Sequence, residues 1–237
     1  MGYPLIKPYP LEERLPSEEE KRIEAFAEAA GLKAQRTKLP RLVIPGPYEH
    51  VQVATTGRGA DNTLPSLIES KLFFLADYRS AVAMTPPIDK LPGIVRYRNE
   101  HDRSNSSNNK ALNEEANAEV MKFGHKLPPG QVLFHGGPWC WSQAIGTFDR
   151  PLSTTLCAKV ARLHGEYHGH APAEIWIITV LPRADVRALV LDRRGEHDLA
   201  HEVETLVQSG IVVDKRFTRR IGDYLVHDVN LVGAESS

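Results

Sequence analysis

Apolar residues recur at three- and four-residue intervals through much of the first half of this chain and at alternate positions in the second. The first spacing marks amphipathic helices and the second marks half-buried strands. Ser17-Glu-Glu-Glu20 forms a capping box, in which the hydroxyl and the later carboxylate each take up backbone N–H groups at a helix start. Ile23, Phe26, Ala27 and Ala30 follow on one face, and Gly31 can take the left-handed conformation that ends a helix. A short helix is therefore predicted over 17–31. A second is predicted from Pro65 to about Met84, with Leu67, Ile68, Leu72, Leu75 and Tyr78 on its apolar face. Proline suits its first turn, and Pro86-Pro87 stops it. Residues 1–16, with Pro4, Pro8, Pro10 and Pro16, read as an irregular arm. Residues 38–63 read as a Pro/Gly-rich loop with a strand at His50–Thr55.

Ser104–Asn109 is polar and low in complexity, which predicts a linker or an exposed loop. Leu112, Ala116, Val120 and Phe123 then define a helix over 109–123. After Leu127-Pro-Pro-Gly130 the texture changes. Strands are predicted at Gln131–Phe134, Arg150–Thr154, Glu174–Leu181, Val186–Leu191, Glu202–Val207, Ile211–Phe217 and Asp223–Val232. One helix, about Cys157–His164, interrupts them. Helices followed by runs of strands predict an α+β fold. The chain has no internal repeat.

Composition narrows the classes. The 237 residues are 41% hydrophobic and 25% charged, enough for a core of ordinary size. A formal net charge of −1 supplies no global field toward nucleic acid or an acidic membrane. No apolar run approaches the roughly 18 residues of a membrane span. The start, Met1-Gly-Tyr-Pro, lacks the basic and apolar regions of a secretory leader. The expected location is the cytoplasm, or a target cell reached without a conventional signal peptide. Two cysteines, Cys140 and Cys157, are too few for a disulfide scaffold.

Three segments carry candidate chemistry, and each also has a plain structural reading. Val132-Leu-Phe-His-Gly-Gly137 ends a strand in a histidine and two glycines. Glycine lets backbone approach a ligand closely, or simply makes a turn. Arg150-Pro-Leu-Ser-Thr-Thr155 ends a strand in three hydroxyls before a helix, where Ser and Thr are also favoured caps. Glu202-Val-Glu204 opens a strand. Alternation would put both carboxylates on one face, either as a catalytic pair or as two surface acids.

In this order, His-Gly, Ser-Thr-Thr and Glu-x-Glu resemble the motifs of the mono-ADP-ribosyltransferase superfamily, over roughly 112–232. Leu112-Asn113 on the preceding helix and the closing strand 223–232 add to the resemblance. His135 stands where members with Glu-x-Glu carry arginine; a histidine there is similar to the diphtheria-toxin and poly-ADP-ribose polymerase branch. The resemblance implies a pair of perpendicular, mostly antiparallel sheets with NAD+ in the cleft between them. It implies a catalytic domain over 96–237, with residues 1–95 as a helical and irregular region packed on it. Two short helices bury too little to stand alone.

The resemblance also implies roles. Glu204 is the catalytic carboxylate, holding the 2′-hydroxyl of the nicotinamide ribose and stabilising the oxocarbenium ion. Glu202 positions or deprotonates the acceptor. Ser153 braces Glu204, with Thr154 and Thr155 beside it. Gly136 bonds the nicotinamide amide, His135 contacts ribose, and Arg150 contacts phosphate. Residues 164–172 form the loop over the NAD+ phosphates, with Tyr167 for stacking, and residues 193–201 face the acceptor. NAD+ is implied as substrate, with no metal. The implied acceptor is a macromolecule, a protein side chain such as arginine ahead of nucleic acid, since a guanidinium pairs well with carboxylates. An inhibitor or antitoxin protein is a further implied partner, and toxin, secreted effector and phage-defence enzyme are all compatible roles. NAD+ glycohydrolase and an inactive NAD- or partner-binding module are the alternatives.

Other chemistries have weaker support. His164 and His168, with His170 close by, and His197 and His201 share a helical metal-ligand spacing, but no further ligands follow at suitable spacing. Cys140 between Trp139 and Trp141 lacks the histidine motif of a cysteine hydrolase. Arg216, Phe217, Arg219 and Arg220 make a short basic run, suited to nucleic acid or to a solvated strand end.

Overall fold

The structure is a computed structural model and describes residues 2–7, 12–15, 17–30, 41–43, 75–100, 106–167, 172–191, 203–221 and 224–234. Its order begins with β1 (Glu12–Arg14), α1 (Glu18–Ala29) and β2 (Arg41–Val43), followed by α2 (Ala76–Met84), a 3-10 turn (Ile88–Lys90), α3 (Pro92–Glu100) and α4 (Ser106–Phe123). Next come β3 (His125–Lys126), β4 (Val132–Gly136), β5 (Ile145–Thr147), β6 (Leu152–Thr155), α5 (Ala158–Tyr167), β7 (Ala173–Val180), β8 (Arg187–Val190), β9 (Glu204–Val207), β10 (Ile211–Ile221) and β11 (Tyr224–Ala234). The fold is α+β, as expected. No described helix is long and apolar enough to cross a membrane. The strand expected at His50–Thr55 and the first part of the helix expected at 65–84 lie outside the described residues.

β1 and β2 pair with each other. The other nine described strands hydrogen-bond in the order β3-β8-β9-β6-β4-β7-β11-β10-β5, antiparallel throughout except for β7 beside β11. One junction is thin. β4 meets β6 through the single pair Phe134↔Thr155, whereas the β4–β7 ladder runs from Val132↔Thr179 to Gly136↔Ile175. The nine strands are thus one hydrogen-bonded sheet, narrowed at this junction to one residue pair.

Two hydrophobic clusters fill the interior. Trp176, Phe134, Leu133, Ile178, Val213 and Leu231 lie in the larger one, together with Tyr3, Ile6, Tyr78, Ala81 and Val82 from the N-terminal region. In the smaller, Leu91, Ile94 and Tyr97 meet Leu112, Ala116 and Val120 of α4 and Leu189, Leu191 and Leu206 of the sheet. Full burial of one Leu or Ile stabilises by roughly 1.5–3 kcal/mol, and an exposed ion pair by about 0–1 kcal/mol. Apolar burial therefore fixes α3 on α4 more than the exposed Arg96–Glu115 pair at 2.7 Å does.

Several elements differ from the sequence reading: β1, β2, β3 and β5 were not anticipated, and α2 begins after Leu75, whose backbone is extended and not helical. α3 was not anticipated, and it runs across residue 95, where the N-terminal region was expected to end. α4 begins at Ser106, so Ser106–Asn109 form its first turn and not a linker; Ser and Asn are residue types favoured at helix starts. β10 continues to Ile221. β9 starts at Glu204, not at Glu202, for a reason that belongs to the site.

Candidate active site

β4 delivers the first motif. His135 lies opposite Trp176 of β7, with ring centroids 4.9 Å apart in an edge-on arrangement. Its Nδ1 donates to the Ser153 carbonyl at 2.8 Å. A carbonyl only accepts, so Nδ1 carries a proton. Gly136 is required by the helix packed on it, α5: a Cβ there would lie 1.9 Å from the Ala161 carbonyl oxygen and 2.6 Å from the Gly165 nitrogen. Gly165 in turn sits so close to β7 that its Cβ would be 2.7 Å from the Glu174 carbonyl oxygen. These two glycines let α5 lie directly on β4 and β7.

β6 delivers three hydroxyls with three different tasks. Strand alternation puts Ser153 and Thr155 on the face of Glu204 and Thr154 on the other. Ser153 Oγ donates to Glu204 Oε1 at 2.7 Å. Thr154 is buried and donates to the Thr205 carbonyl at 2.6 Å. Thr155 Oγ1 accepts the Cys157 N–H at 3.0 Å, at the turn into α5.

Glu204 opens β9 and is 4% exposed. The residue before it, Val203, is buried and has φ +45°, in the left-handed region. That region is a genuine outlier for a β-branched side chain and costs about 1–3 kcal/mol. Two backbone bonds hold the corner: the Val203 carbonyl accepts Leu156 N–H at 3.2 Å and the Glu204 carbonyl accepts Leu191 N–H at 3.0 Å. Strand alternation does not pass back through Val203, so the shared face inferred for Glu202 and Glu204 loses its basis. Glu202 lies outside the described residues, as do 168–171 of the phosphate-covering segment, the acceptor-facing segment 193–201, and His168, His170, His197 and His201. Tyr167 ends α5, and its side chain is likewise outside them.

Two site residues escaped the sequence reading. Arg98 of α3 places Nε 3.3 Å from Glu204 Oε2. Tyr97 donates its hydroxyl to the Pro151 carbonyl at 3.1 Å, and burial pushes its pKa up. The signal was present: Pro92 suits a first helical turn, and Leu91, Ile94, Val95 and Arg98 follow i, i+3, i+4, i+7 spacing. An arginine that continues an apolar stripe is a cation carried into the interior. α3 is held by Glu119 of α4, whose two carboxylate oxygens accept the N–H groups of Gly93 and Ile94, each at 2.9 Å. Those are orphan donors of the helix start, and the carboxylate also suits the positive end of the helix dipole.

These groups surround one cavity of about 340 Å³. His135, Gly136, Arg150, Ser153, Thr154, Thr155 and Glu204 all line it, with Tyr97, Arg98 and His164. Among the described residues, two guanidinium groups and two imidazoles thus share the cavity with one carboxylate. That lining suits a polyanion carrying a second, cationic part near Glu204.

A second polar chain spans β7, β11 and β10. The buried His227 donates from Nε2 to Glu174 Oε2 at 2.7 Å, and its Nδ1 accepts from Thr218 Oγ1 at 2.7 Å. Glu174 Oε2 also accepts the Trp139 N–H at 2.8 Å, and Lys215 Nζ lies 4.5 Å from the Trp139 ring centre. Burial holds the His227 pKa below its ordinary value, against the opposing pull of Glu174. Cys140 is exposed, whereas Cys157 is buried with its thiol pushed up to about 11. In the basic run, Arg216 pairs with Asp214 at 3.0 Å and Arg219 lies 3.9 Å from Asp228.

No protein-family model and no curated protein matches the chain. Among solved structures it is similar to Vis toxin, an ADP-ribosyltransferase from Vibrio splendidus, at 13% identity over 78% of this chain and 91% of that one, with a TM-score of 0.41. It is also similar to Plx2a, an ADP-ribosyltransferase toxin from Paenibacillus larvae, at 13% identity over 73% and 96% of the two chains and a TM-score of 0.38. For C3stau2 from S. aureus with NAD the values are 11% identity, 75% and 97% coverage, and a TM-score of 0.40.

Proposed function

We propose that this chain cleaves the nicotinamide–ribose bond of NAD+ in the cavity at Glu204 and transfers the ADP-ribosyl group to a macromolecule, a protein side chain such as arginine. The observation that carries the reading is convergence. Three segments separated in sequence, which together resemble the family motifs, meet in one cavity around a buried carboxylate braced by a serine at 2.7 Å.

Bond cleavage sends the C1′–N electron pair to nicotinamide and leaves positive charge on the ribose ring. A fixed carboxylate beside the 2′-hydroxyl stabilises that charge, and it does so more strongly where water is excluded. The acceptor then attacks C1′ and gives up its proton, and Glu202 is the base we assign to that step. His135, Gly136 and Arg150 take ribose, carboxamide and phosphate respectively, and Tyr167 stacks on the dinucleotide. Thr154 and Thr155 act from behind Ser153, shaping the wall and starting α5.

Nicotinamide release from NAD+, compared between wild type and Glu204→Gln, tests the reaction. A drop of about 100-fold or more is expected for one preorganised electrostatic group. Equal release from both proteins sinks the assignment. Labelled NAD+ in a cell extract, digested separately with protease and nuclease, tests the acceptor: label that resists protease and yields to nuclease overturns the protein target. Glu202→Gln is expected to lose transfer and keep part of the NAD+ hydrolysis.

A further inference from the structure

We propose that Arg98 is a latch on the catalytic carboxylate, opened by the diphosphate of the substrate. The inference rests on the NAD+ reading above and names how that site would select its substrate.

Arg98 and Glu204 form an ion pair at 3.3 Å with side chains only 15% and 5% exposed. A guanidinium in that position offsets the field of the carboxylate at the place where ribose would become cationic. The same contact that holds Glu204 therefore opposes its action in the reaction. The guanidinium needs another anion to leave. NAD+ brings one, since its diphosphate offers oxygens in a geometry that an arginine fork binds bidentately. Arg150 lines the same cavity, so the entering diphosphate meets positive charge from two guanidinium groups.

The backbone under Arg98 is held still. Glu119 caps α3 at Gly93 and Ile94, and the neighbouring Tyr97 is tied to Pro151. Exchange of partners thus falls to the side-chain torsions of Arg98, with no movement of the helix. Its consequence is selectivity. Nicotinamide riboside presents the scissile bond and the 2′-hydroxyl but no phosphate, so it leaves the latch shut.

The test follows nicotinamide release from NAD+ and from nicotinamide riboside, each with and without inorganic pyrophosphate, in wild type and Arg98→Met. Methionine keeps an unbranched stem in the buried position, and a thermal melt of each protein reports that it is folded. Wild type is expected to cleave the riboside at least tenfold more slowly than NAD+ and to be stimulated severalfold by pyrophosphate. Arg98→Met is expected to cleave the riboside faster than wild type, to ignore pyrophosphate, and to raise the KM for NAD+ about tenfold. Loss of kcat on both substrates with unchanged KM overturns the latch, because it makes Arg98 a fixed support of Glu204. A readout free of the reaction separates the two ideas. Pyrophosphate alone is expected to raise the melting temperature of wild type and not of Arg98→Met, whether or not NAD+ is cleaved. Equal shifts in both proteins overturn the latch, while no release from NAD+ by wild type counts against the proposed reaction.

Discussion

Ser153 Oγ reaches Glu204 Oε1 at 2.7 Å along a diagonal of the β6–β9 ladder, since Ser153 lies directly opposite Leu206 and Glu204 opposite Thr155. Diagonal neighbours on one face of an antiparallel pair are within reach of each other. A hydrogen bond to a charged group is worth about 1.5–3 kcal/mol, or roughly 10–100-fold in rate if it is needed in the transition state. Ser153→Ala is expected to slow nicotinamide release by that factor, and Ser153→Thr to restore much of it. A change of less than twofold for Ser153→Ala would remove the serine from the proposed reaction.

Gly136 is expected to be intolerant for reasons of packing. Its Cβ would overlap the backbone of α5 at 1.9 Å, and backbone cannot rotate away as a side chain can. Overpacking of this kind costs about 1–3 kcal/mol or more. Gly136→Ala should lower the midpoint of urea unfolding with an unchanged slope, and Gly165→Ala should do the same. An unchanged midpoint with weakened NAD+ binding would show instead that the glycine serves only the ligand.

Acidification should weaken the fold through His227. Burial lowers its pKa in the folded chain, so below the ordinary imidazole value the unfolded chain takes up the proton more readily. Its contribution is complete above that value and is lost as pH falls through the window beneath it. Glu174, Lys215 and Asp228 face the ring or neighbour it, and the raised carboxyl of Asp228 acts with the opposite sign, favouring the fold when protonated. Comparing wild type with His227→Gln isolates the imidazole. Urea midpoints measured between about pH 5 and 7 should rise with pH in wild type and rise less steeply in the variant. Parallel profiles would contradict the assignment.

A chain starting at Leu91 is expected to aggregate. It lacks Tyr3, Ile6, Tyr78, Ala81 and Val82 of the larger core, and Gln131, which bonds both the N–H of Ile6 at 3.0 Å and its carbonyl at 2.8 Å, loses both partners. Several buried side chains at roughly 1.5–3 kcal/mol each compare with a total stability of about 5–15 kcal/mol. A soluble, folded fragment that cleaves NAD+ and no longer modifies its target would assign residues 1–90 to acceptor selection. Full transfer by that fragment would exclude both acceptor selection and a structural brace for residues 1–90.

Long periodic segments were legible. Leu112, Ala116 and Val120 predict α4, and the β-rich runs after Gly130 predict β4, β6–β11 and the α+β class. β3 and β5 escaped because they are too short to show alternation. α3 is masked by the prolines before it and the polar run after it, although Leu91, Ile94 and Val95 carry its stripe. His135, Ser153 and Glu204 were legible as motifs, but the partner on Glu204 was not, because Arg98 comes from another element, and only the smaller core brings that element to β9. The corner at Val203 was the least legible. A β-branched residue predicts extended backbone, and only tertiary packing holds it otherwise.

The thin junction between β4 and β6 has a mechanical consequence. His135 belongs to one group of strands and Glu204 to the other, and one residue pair, Phe134↔Thr155, joins the two ladders between them. Such a joint works as a compliant hinge between two stiff plates. Thermal agitation is expected to loosen this pair first while every other ladder stays zipped, with the His135–Ser153 hydrogen bond as a side-chain tie across it. In amide exchange, the protons of Phe134 and Thr155 should then open at lower free energy than those of the flanking ladders, and a bound dinucleotide spanning both plates should slow them most of all.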